Sequence, residues 1–115
     1  MTTATPSLGG SVPPMPEYTP KALRAAIAAH APALLADFDS AWRRQICDAY
    51  DIGPVPAFMA RWWGEYALAR DPELDRHVAG LEARAAEATD ADAARSLLDA
   101  ASRIRHRLRA LEPGE

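Results

Sequence analysis

The sequence predicts an all-α protein: a small bundle of four to five helices with a disordered Pro-rich N-terminal tail and a long C-terminal helix. Apolar residues recur at spacings of three and four along most of the chain, and no segment shows a credible strand pattern. A capping residue followed by proline stands at 19–20 and again at 71–72. Seven of the eight aromatic residues lie between Phe38 and Tyr66, which predicts an aromatic core in the middle of the chain.

The composition divides the chain into three segments. Residues 1–18 are rich in Thr, Ser, Gly and Pro and lack apolar periodicity, which predicts a disordered tail. Residues 19–88 are expected to form a helical core domain. Residues 89–112 are expected to form a C-terminal amphipathic helix that packs on the core, on a partner or on a second copy of the chain.

The first two helices are separated by a proline. Thr19 can cap a helix with its hydroxyl and Pro20 suits the first turn, so the first helix begins here and ends before Pro32. Its buried face comprises Leu23, Ile27 and His30. The second helix opens at Pro32 and carries an apolar stripe of Leu34, Leu35, Phe38, Trp42, Ile46, Ala49 and Tyr50. The Asp-Ile-Gly-Pro sequence at 51–54 ends it, with the glycine in left-handed geometry.

The third and fourth helices also begin at prolines. Pro54 or Pro56 starts the third helix, whose predicted inward face is Val55, Phe58, Met59, Trp62, Tyr66 and Ala67. Asp71 caps the fourth helix and Pro72 stands in its first turn. The predicted buried face of the fourth helix is Leu74, Val78, Leu81 and Ala85.

Two arrangements fit the last third of the chain. Continuing the register of the fourth helix would place Asp92 and Arg95 on the apolar seam, whereas the stripe restarts as Ala94, Leu97, Ala101, Ile104, Leu108 and Leu111. We therefore predict a break at 89–91, capped by Thr89, and a fifth helix of about 20 residues. A single bent helix over 72–111 is the alternative, because neither Gly nor Pro interrupts residues 81–112.

The adjacent pair Trp62-Trp63 is the sharpest local feature. Neighbouring helical residues point about 100° apart, so the two rings cannot enter the same core slot. Trp62 lies on the side of Phe58 and Tyr66 and is the expected core residue. Trp63 is then either a half-exposed interface anchor or a residue packed beneath the N-terminal helix, with Gly64 letting a neighbouring backbone come close.

The C-terminal helix supplies most of the predicted partner-binding residues. Its apolar ridge is expected to exceed what the compact body can cover, leaving it for a partner or a second copy. The predicted partner-binding residues are Trp63, Leu97, Ile104, Leu108 and Leu111. The substitution Ile104→Asp is then expected to abolish dimer or complex formation while leaving the monomer helical.

An arginine-rich stretch supplies the alternative binding surface. Residues 93–111 carry five arginines against Asp99, a net charge of +4, whereas residues 1–92 sum to −5. Such a charge suits phosphates or an acidic partner, and the predicted nucleic-acid-binding residues are Arg103, Arg105, Arg107 and Arg109. Arginines in the last turns of a helix also complement its dipole, which is a purely structural explanation.

Length, charge and residue types exclude several classes of function. At 115 residues the chain has room for one small domain, whose core is marginal without a partner. The net charge of −3 argues against a protein that coats nucleic acid over its whole surface. With neither a signal peptide nor an apolar run long enough for a membrane span, we expect a cytoplasmic protein that does not bind membranes.

No pattern typical of catalysis is found. Glu73 and His77 have a spacing that can bind metal, but the paired Glu-x-x-His sets of a di-iron bundle are missing. Cys47, the single cysteine, has no nearby histidine and is expected to be a buried structural thiol. We therefore predict a protein that is not an enzyme, with no metal, no cofactor and no small-molecule substrate.

Four stretches carry a resemblance to a known family: residues 19–26 (TPKALRAA), 38–42 (FDSAW), 58–63 (FMARWW) and 70–73 (RDPE). Over residues 19–80 the chain resembles small actinobacterial all-helical proteins of unknown function. Genes for such proteins often lie beside those of small ribonuclease toxins of the RelE kind. The resemblance therefore implies an antitoxin-like, toxin-wrapping role, and it assigns no catalytic residue.

Two functions from different classes follow from these patterns. The first is a non-catalytic protein-protein interaction module, antitoxin-like, that binds a protein partner or forms a homodimer. The second is a small nucleic-acid-associated regulator that uses the C-terminal arginines. A third possibility is a plain bundle whose C-terminal helix folds back on its own core and closes every apolar face.

Overall fold

The computed structural model describes residues 12–115, and this part of the chain contains five α-helices and no strand. The prediction of a small all-α bundle is confirmed. The elements in chain order are α1 (Pro20–His30), a 3₁₀ turn (Pro32–Leu34), α2 (Leu35–Trp42), a π-helical turn (Arg43–Cys47), α3 (Val55–Ala69), α4 (Pro72–Glu87) and α5 (Ala91–Arg109).

Helix α3 is the centre of the bundle, and α1, α4 and α5 pack around it. Its buried residues are Phe58, Met59, Trp62, Trp63, Tyr66, Ala67 and Leu68. The Phe38 ring meets Phe58 and Trp62 edge-on, at centroid distances of 5.1 and 5.6 Å. Trp42 meets Phe58 in the same way at 5.1 Å. Because such pairs add about 0.5–1.5 kcal/mol each beyond area burial, this aromatic cluster holds α2 against α3.

The predicted helix starts are confirmed where a local cap determines them. The Thr19 hydroxyl accepts a hydrogen bond from the Ala22 amide at 3.1 Å, and the Asp71 carboxylate accepts one from the Leu74 amide at 3.2 Å. Each side chain satisfies a donor that the first helical turn leaves free.

Two helices, not one bent helix, make up the last third of the chain. Helix α4 ends at Glu87 and α5 begins at Ala91, so a break is confirmed, and it lies at 88–90, one residue earlier than the predicted 89–91. The capping residue is Asp90 and not Thr89. The Asp90 carboxylate accepts from the amides of Asp92 and Ala93, both at 3.3 Å.

Helix α5 folds back as an antiparallel partner of α4 and also packs on α3. Ala101 and Leu108 are buried, while Leu97, Ile104 and Leu111 are half-buried against the core. The compact body therefore covers much of this ridge, and Leu97, Ile104 and Leu111 keep part of their surface exposed. The reason is geometric: the tight turn at 88–90 returns α5 along the groove between α3 and α4.

Residues 12–18, which we call the N-terminal strap, are packed against the helices. Met15 is only 3% exposed, and its carbonyl accepts a hydrogen bond from the Gly114 amide at 2.8 Å. The Arg70 guanidinium donates to the Pro13 carbonyl at 2.7 Å. The prediction of disorder over 1–18 is therefore wrong for 12–18, whose partners lie far along the chain. Residues 1–11 lie outside the described part.

The predicted buried faces of the first two helices extend further along the chain than the observed ones. The first ends at Ile27, since His30 is exposed and Ala31 is buried in its place. The second ends at Ile46, since Ala49 and Tyr50 are exposed. The π-helical turn, closed by a hydrogen bond from the Asp48 amide to the Arg43 carbonyl at 2.7 Å, rotates the following residues away from the α2 stripe.

Candidate interaction site

The segment 48–53 between the π-helical turn and α3, which we call the Tyr50 loop, has a defined backbone. The Tyr50 amide donates to the Cys47 carbonyl at 3.3 Å, and the Asp51 carboxylate accepts from the Gly53 amide at 2.9 Å. Tyr50 itself adopts φ 51°, a left-handed conformation that is uncommon for an aromatic residue. The sequence predicts this left-handed geometry at Gly53, but Gly53 does not adopt a positive φ, so this prediction is wrong.

The Tyr50 loop presents the two most exposed large apolar side chains within residues 12–115. Tyr50 is 96% exposed and Ile52 is 81% exposed. A single exposed apolar residue is ordinary, but two within three positions are informative, and tyrosine is enriched at the centres of protein interfaces. Burying such a side chain contributes about 1.5–3 kcal/mol, which a partner would gain on docking.

Two carboxylates accompany the apolar side chains of the loop. Asp48 and Asp51 are exposed, so the Tyr50 loop combines apolar area with a charge of −2. Opposite charges on a partner accelerate association and fix its orientation. The loop therefore fits a basic protein surface with an apolar depression.

A groove of about 610 Å³ lies between α1 and α2. We call it the α1–α2 groove. Its apolar lining is provided by Pro20, Phe38 and Trp42, and its polar lining by Thr19, Lys21, Arg24 and Asp39.

An ion pair bridges α1 and α2 at this groove. The Arg24 guanidinium donates two hydrogen bonds to the Asp39 carboxylate, both at 2.7 Å. The bond from Arg24 holds the pKa of Asp39 below its usual value, with a further contribution from the charge of Arg43. The same bond raises the pKa of Arg24. Because both groups are solvated, the pair contributes little stability and acts mainly to fix geometry.

Trp63 is fully buried, so of the two alternatives for this residue the half-exposed interface anchor is wrong and the internally packed side chain is correct. Its indole Nε1 donates to the Leu111 carbonyl at 2.9 Å, and its ring lies 4.6 Å from that of Tyr18. Gly64 does allow a close approach, but by a side chain: a Cβ built there would lie 2.9 Å from Cγ of Arg109. Trp63 thus joins α3 to the strap and to the end of α5.

The predicted partner-binding residues of α5 are partly buried. Leu97, Ile104, Leu108 and Leu111 all pack on the chain's own core, and Leu98, which was not predicted, is the most exposed large apolar residue of α5. Partner binding through the exposed parts of Leu97, Ile104 and Leu111 stays a prediction.

The four predicted nucleic-acid-binding arginines have different surroundings. Arg105 is paired with Glu82 through bonds of 3.1 and 3.2 Å, which raise the pKa of Arg105. The Arg109 side chain lies over Gly64. Arg103 and Arg107 are exposed and, with Ser102 and His106, line a depression of about 380 Å³ on the outer face of α5.

The candidate metal and thiol positions are both at the surface. Glu73 and His77 are exposed, and within residues 12–115 no three His, Cys, Asp or Glu side chains come together as a metal site. Cys47 is exposed, so the prediction of a buried thiol is wrong; the π-helical turn carries it out of the core. No helix in the described part has the length and apolar character needed to cross a membrane.

The Tyr50 loop is the feature that sequence reasoning missed. Tyr50 stands at the correct spacing for the α2 stripe, so periodicity assigns it to the core. The one available signal was the Asp-Ile-Gly-Pro sequence at 51–54, which marks a loop immediately after it.

Comparison with known proteins places the chain in a family. A family model described as a family of unknown function (DUF6247) matches residues 11–108. Among curated proteins and among solved structures, no match is found. The match spans both the N-terminal strap and α5, so it covers the whole helical bundle. The chain belongs to the DUF6247 family of unknown function.

Proposed function

We propose that this chain is a non-catalytic protein-protein interaction module, antitoxin-like, that neutralises a small basic toxin by covering it. The Tyr50 loop is its recognition surface. The observation that carries this proposal is the high exposure of Tyr50 and Ile52 in the same short loop as the exposed carboxylates of Asp48 and Asp51. Cytoplasmic location and an actinobacterial source belong to the same proposal.

The chemistry of the Tyr50 loop favours a ribonuclease toxin as the partner. A ribonuclease must hold RNA phosphates and therefore carries lysines and arginines around its active cleft. Asp48 and Asp51 would oppose those cations, while Tyr50 and Ile52 would bury apolar area at the cleft. Neutralisation would be steric, because a loop seated in the cleft excludes RNA. The resemblance of residues 19–80 to proteins encoded beside RelE-like toxins supports the same partner.

Binding of a RelE-like toxin tests this proposal. We expect the double variant Tyr50→Ala/Ile52→Ser to bind about 30-fold more weakly or worse, because two interface side chains contribute about 2 kcal/mol or more together. Isothermal titration calorimetry with a catalytically inactive toxin measures the change. The matched control is Leu98→Ser, which removes a half-exposed apolar side chain from α5.

Equal affinities for the double variant and the wild-type chain would refute the Tyr50 loop as the recognition surface. A loss of affinity in Leu98→Ser alone would move the interface to α5. Since Tyr50, Ile52 and Leu98 lie outside the core, circular dichroism should show unchanged helicity in every variant.

A second candidate function, a nucleic-acid-associated regulator, is favoured by the exposed pair Arg103 and Arg107. We expect any binding to depend mainly on these two arginines, because Arg105 is paired with Glu82 within the chain. The variant Arg103→Gln/Arg107→Gln should reduce the salt dependence of the affinity by about two phosphate contacts. Fluorescence anisotropy with mixed RNA and DNA oligomers measures it, and no binding at low salt would end this alternative.

A further inference from the structure

The α1–α2 groove is a concave apolar surface and the Tyr50 loop is a convex one, and the two carry opposite net charge. We propose that the Tyr50 loop of one copy docks in the α1–α2 groove of a second copy, so that the free chain self-associates. This inference goes beyond the proposed function, since it concerns the chain without its toxin. A second copy of the chain and the toxin would then compete for the Tyr50 loop.

The apolar features of the groove and the loop match. Phe38 and Trp42 give the groove an aromatic lining, and its volume of about 610 Å³ lies within the roughly 300–1,000 Å³ usual for binding sites. Tyr50 and Ile52, two positions apart in the loop, are both apolar side chains with little intramolecular cover. One concave and one convex apolar surface are thus left open on the same chain.

The charges also match. Lys21 and Arg24 line the groove together with Asp39. These two cations and one carboxylate sum to +1. Asp48 and Asp51 give the docking loop −2, so the groove and the loop carry opposite net charge.

The groove needs little rearrangement to accept the loop. The bidentate Arg24–Asp39 pair ties α1 to α2, and the Trp42–Phe58 contact fixes the wall formed by Trp42. The loop backbone is held by the Asp51 carboxylate and by the π-helical turn. Preorganised surfaces lose less conformational entropy on binding, which favours this contact.

Loop and groove are different surfaces, which determines the design of the test. Two copies can exchange loops reciprocally and close a dimer, and the same contact without closure extends an assembly. A variant with a defective groove keeps an intact loop, and a variant with a defective loop keeps an intact groove. Mixing the two therefore restores one of the two contacts.

Sedimentation velocity of the full chain at increasing concentration tests the proposal. We expect wild-type association, and a dissociation constant at least about tenfold higher for the groove variant Lys21→Glu, which changes the charge of the groove lining from +1 to −1. The loop variant Tyr50→Ala/Ile52→Ser should be equally defective. An equimolar mixture of the two variants should associate again. The matched control is Arg76→Glu, the same charge change at an exposed position of α4.

A wild-type chain that stays monomeric, or a groove variant that associates like wild type, would overturn this inference. Failure here is distinguishable from failure of the proposed function. The groove variant should retain toxin binding, whereas the loop variant loses both activities. Toxin binding through the loop by a strictly monomeric chain would remove self-association alone.

Discussion

Replacement of Trp63 by alanine is expected to lower the free energy of unfolding by about 4 kcal/mol, the largest effect of any single change considered. Trp63 is fully buried, and its indole donates to the Leu111 carbonyl at 2.9 Å. Its ring also covers Tyr18 at the end of the N-terminal strap. The alanine variant therefore loses a large apolar volume and the bond that fastens the end of α5.

Urea unfolding followed by circular dichroism measures the Trp63→Ala effect. The matched control is Tyr50→Ala, which removes an aromatic ring that is 96% exposed and should change the unfolding free energy by less than about 0.5 kcal/mol. Similar small losses for both variants would contradict the internal position of Trp63.

The second large effect is expected for Ile104→Asp, at about 3 kcal/mol of lost stability. The sequence alone predicts that this variant loses only its partner and remains a helical monomer. Ile104 instead packs half-buried against the core of its own chain. An aspartate there would lose apolar contacts and place a carboxylate in a partly dry site, so the fold itself should weaken.

Leu98→Asp is the control for Ile104→Asp, because it introduces the same charge six residues away on the same helix at a half-exposed position. We expect it to cost less than about 0.5 kcal/mol. Thermal unfolding of both variants compares them directly. If Ile104→Asp keeps wild-type stability and loses only oligomers, the α5 ridge is a docking face after all.

The sequence predicts those parts of the fold that short-range interactions determine. The starts of α1 and α4 follow from Thr19 and Asp71, whose side chains cap amides three residues ahead. The break before α5 follows from the shift in apolar register between Ala85 and Ala94. Each feature depends on residues within about two helical turns, the range over which capping and periodicity act.

Features that depend on distant partners were not predictable. The N-terminal strap contains no periodic signal, because its packing depends on Arg70, 57 positions from Pro13, and on Gly114 near the C-terminus. The Tyr50 loop is hidden for a related reason. The spacing of apolar residues does not reveal a π-helical turn. Periodicity therefore assigns Tyr50 to the same face as Ile46, although Tyr50 is exposed to solvent.

The packing of α5 on the core limits where a partner can bind. An amphipathic C-terminal helix suggests a free ridge, but α5 completes the core through Ala101 and Leu108. The surface left available combines the Tyr50 loop with the α1–α2 groove, both formed around α2 and the π-helical turn. A protein of this small size can therefore be a closed bundle and still present a compact recognition loop.

Backbone hydrogen exchange of this chain, measured by mass spectrometry with and without an inactive RelE-like toxin, tests the central claim most directly. The chain should be compared at a concentration where it is monomeric. The account predicts slower exchange at residues 48–53 on toxin binding and unchanged exchange along α5. Protection or release of residues 97–111, with no change at 48–53, would contradict it and return the recognition surface to the C-terminal helix.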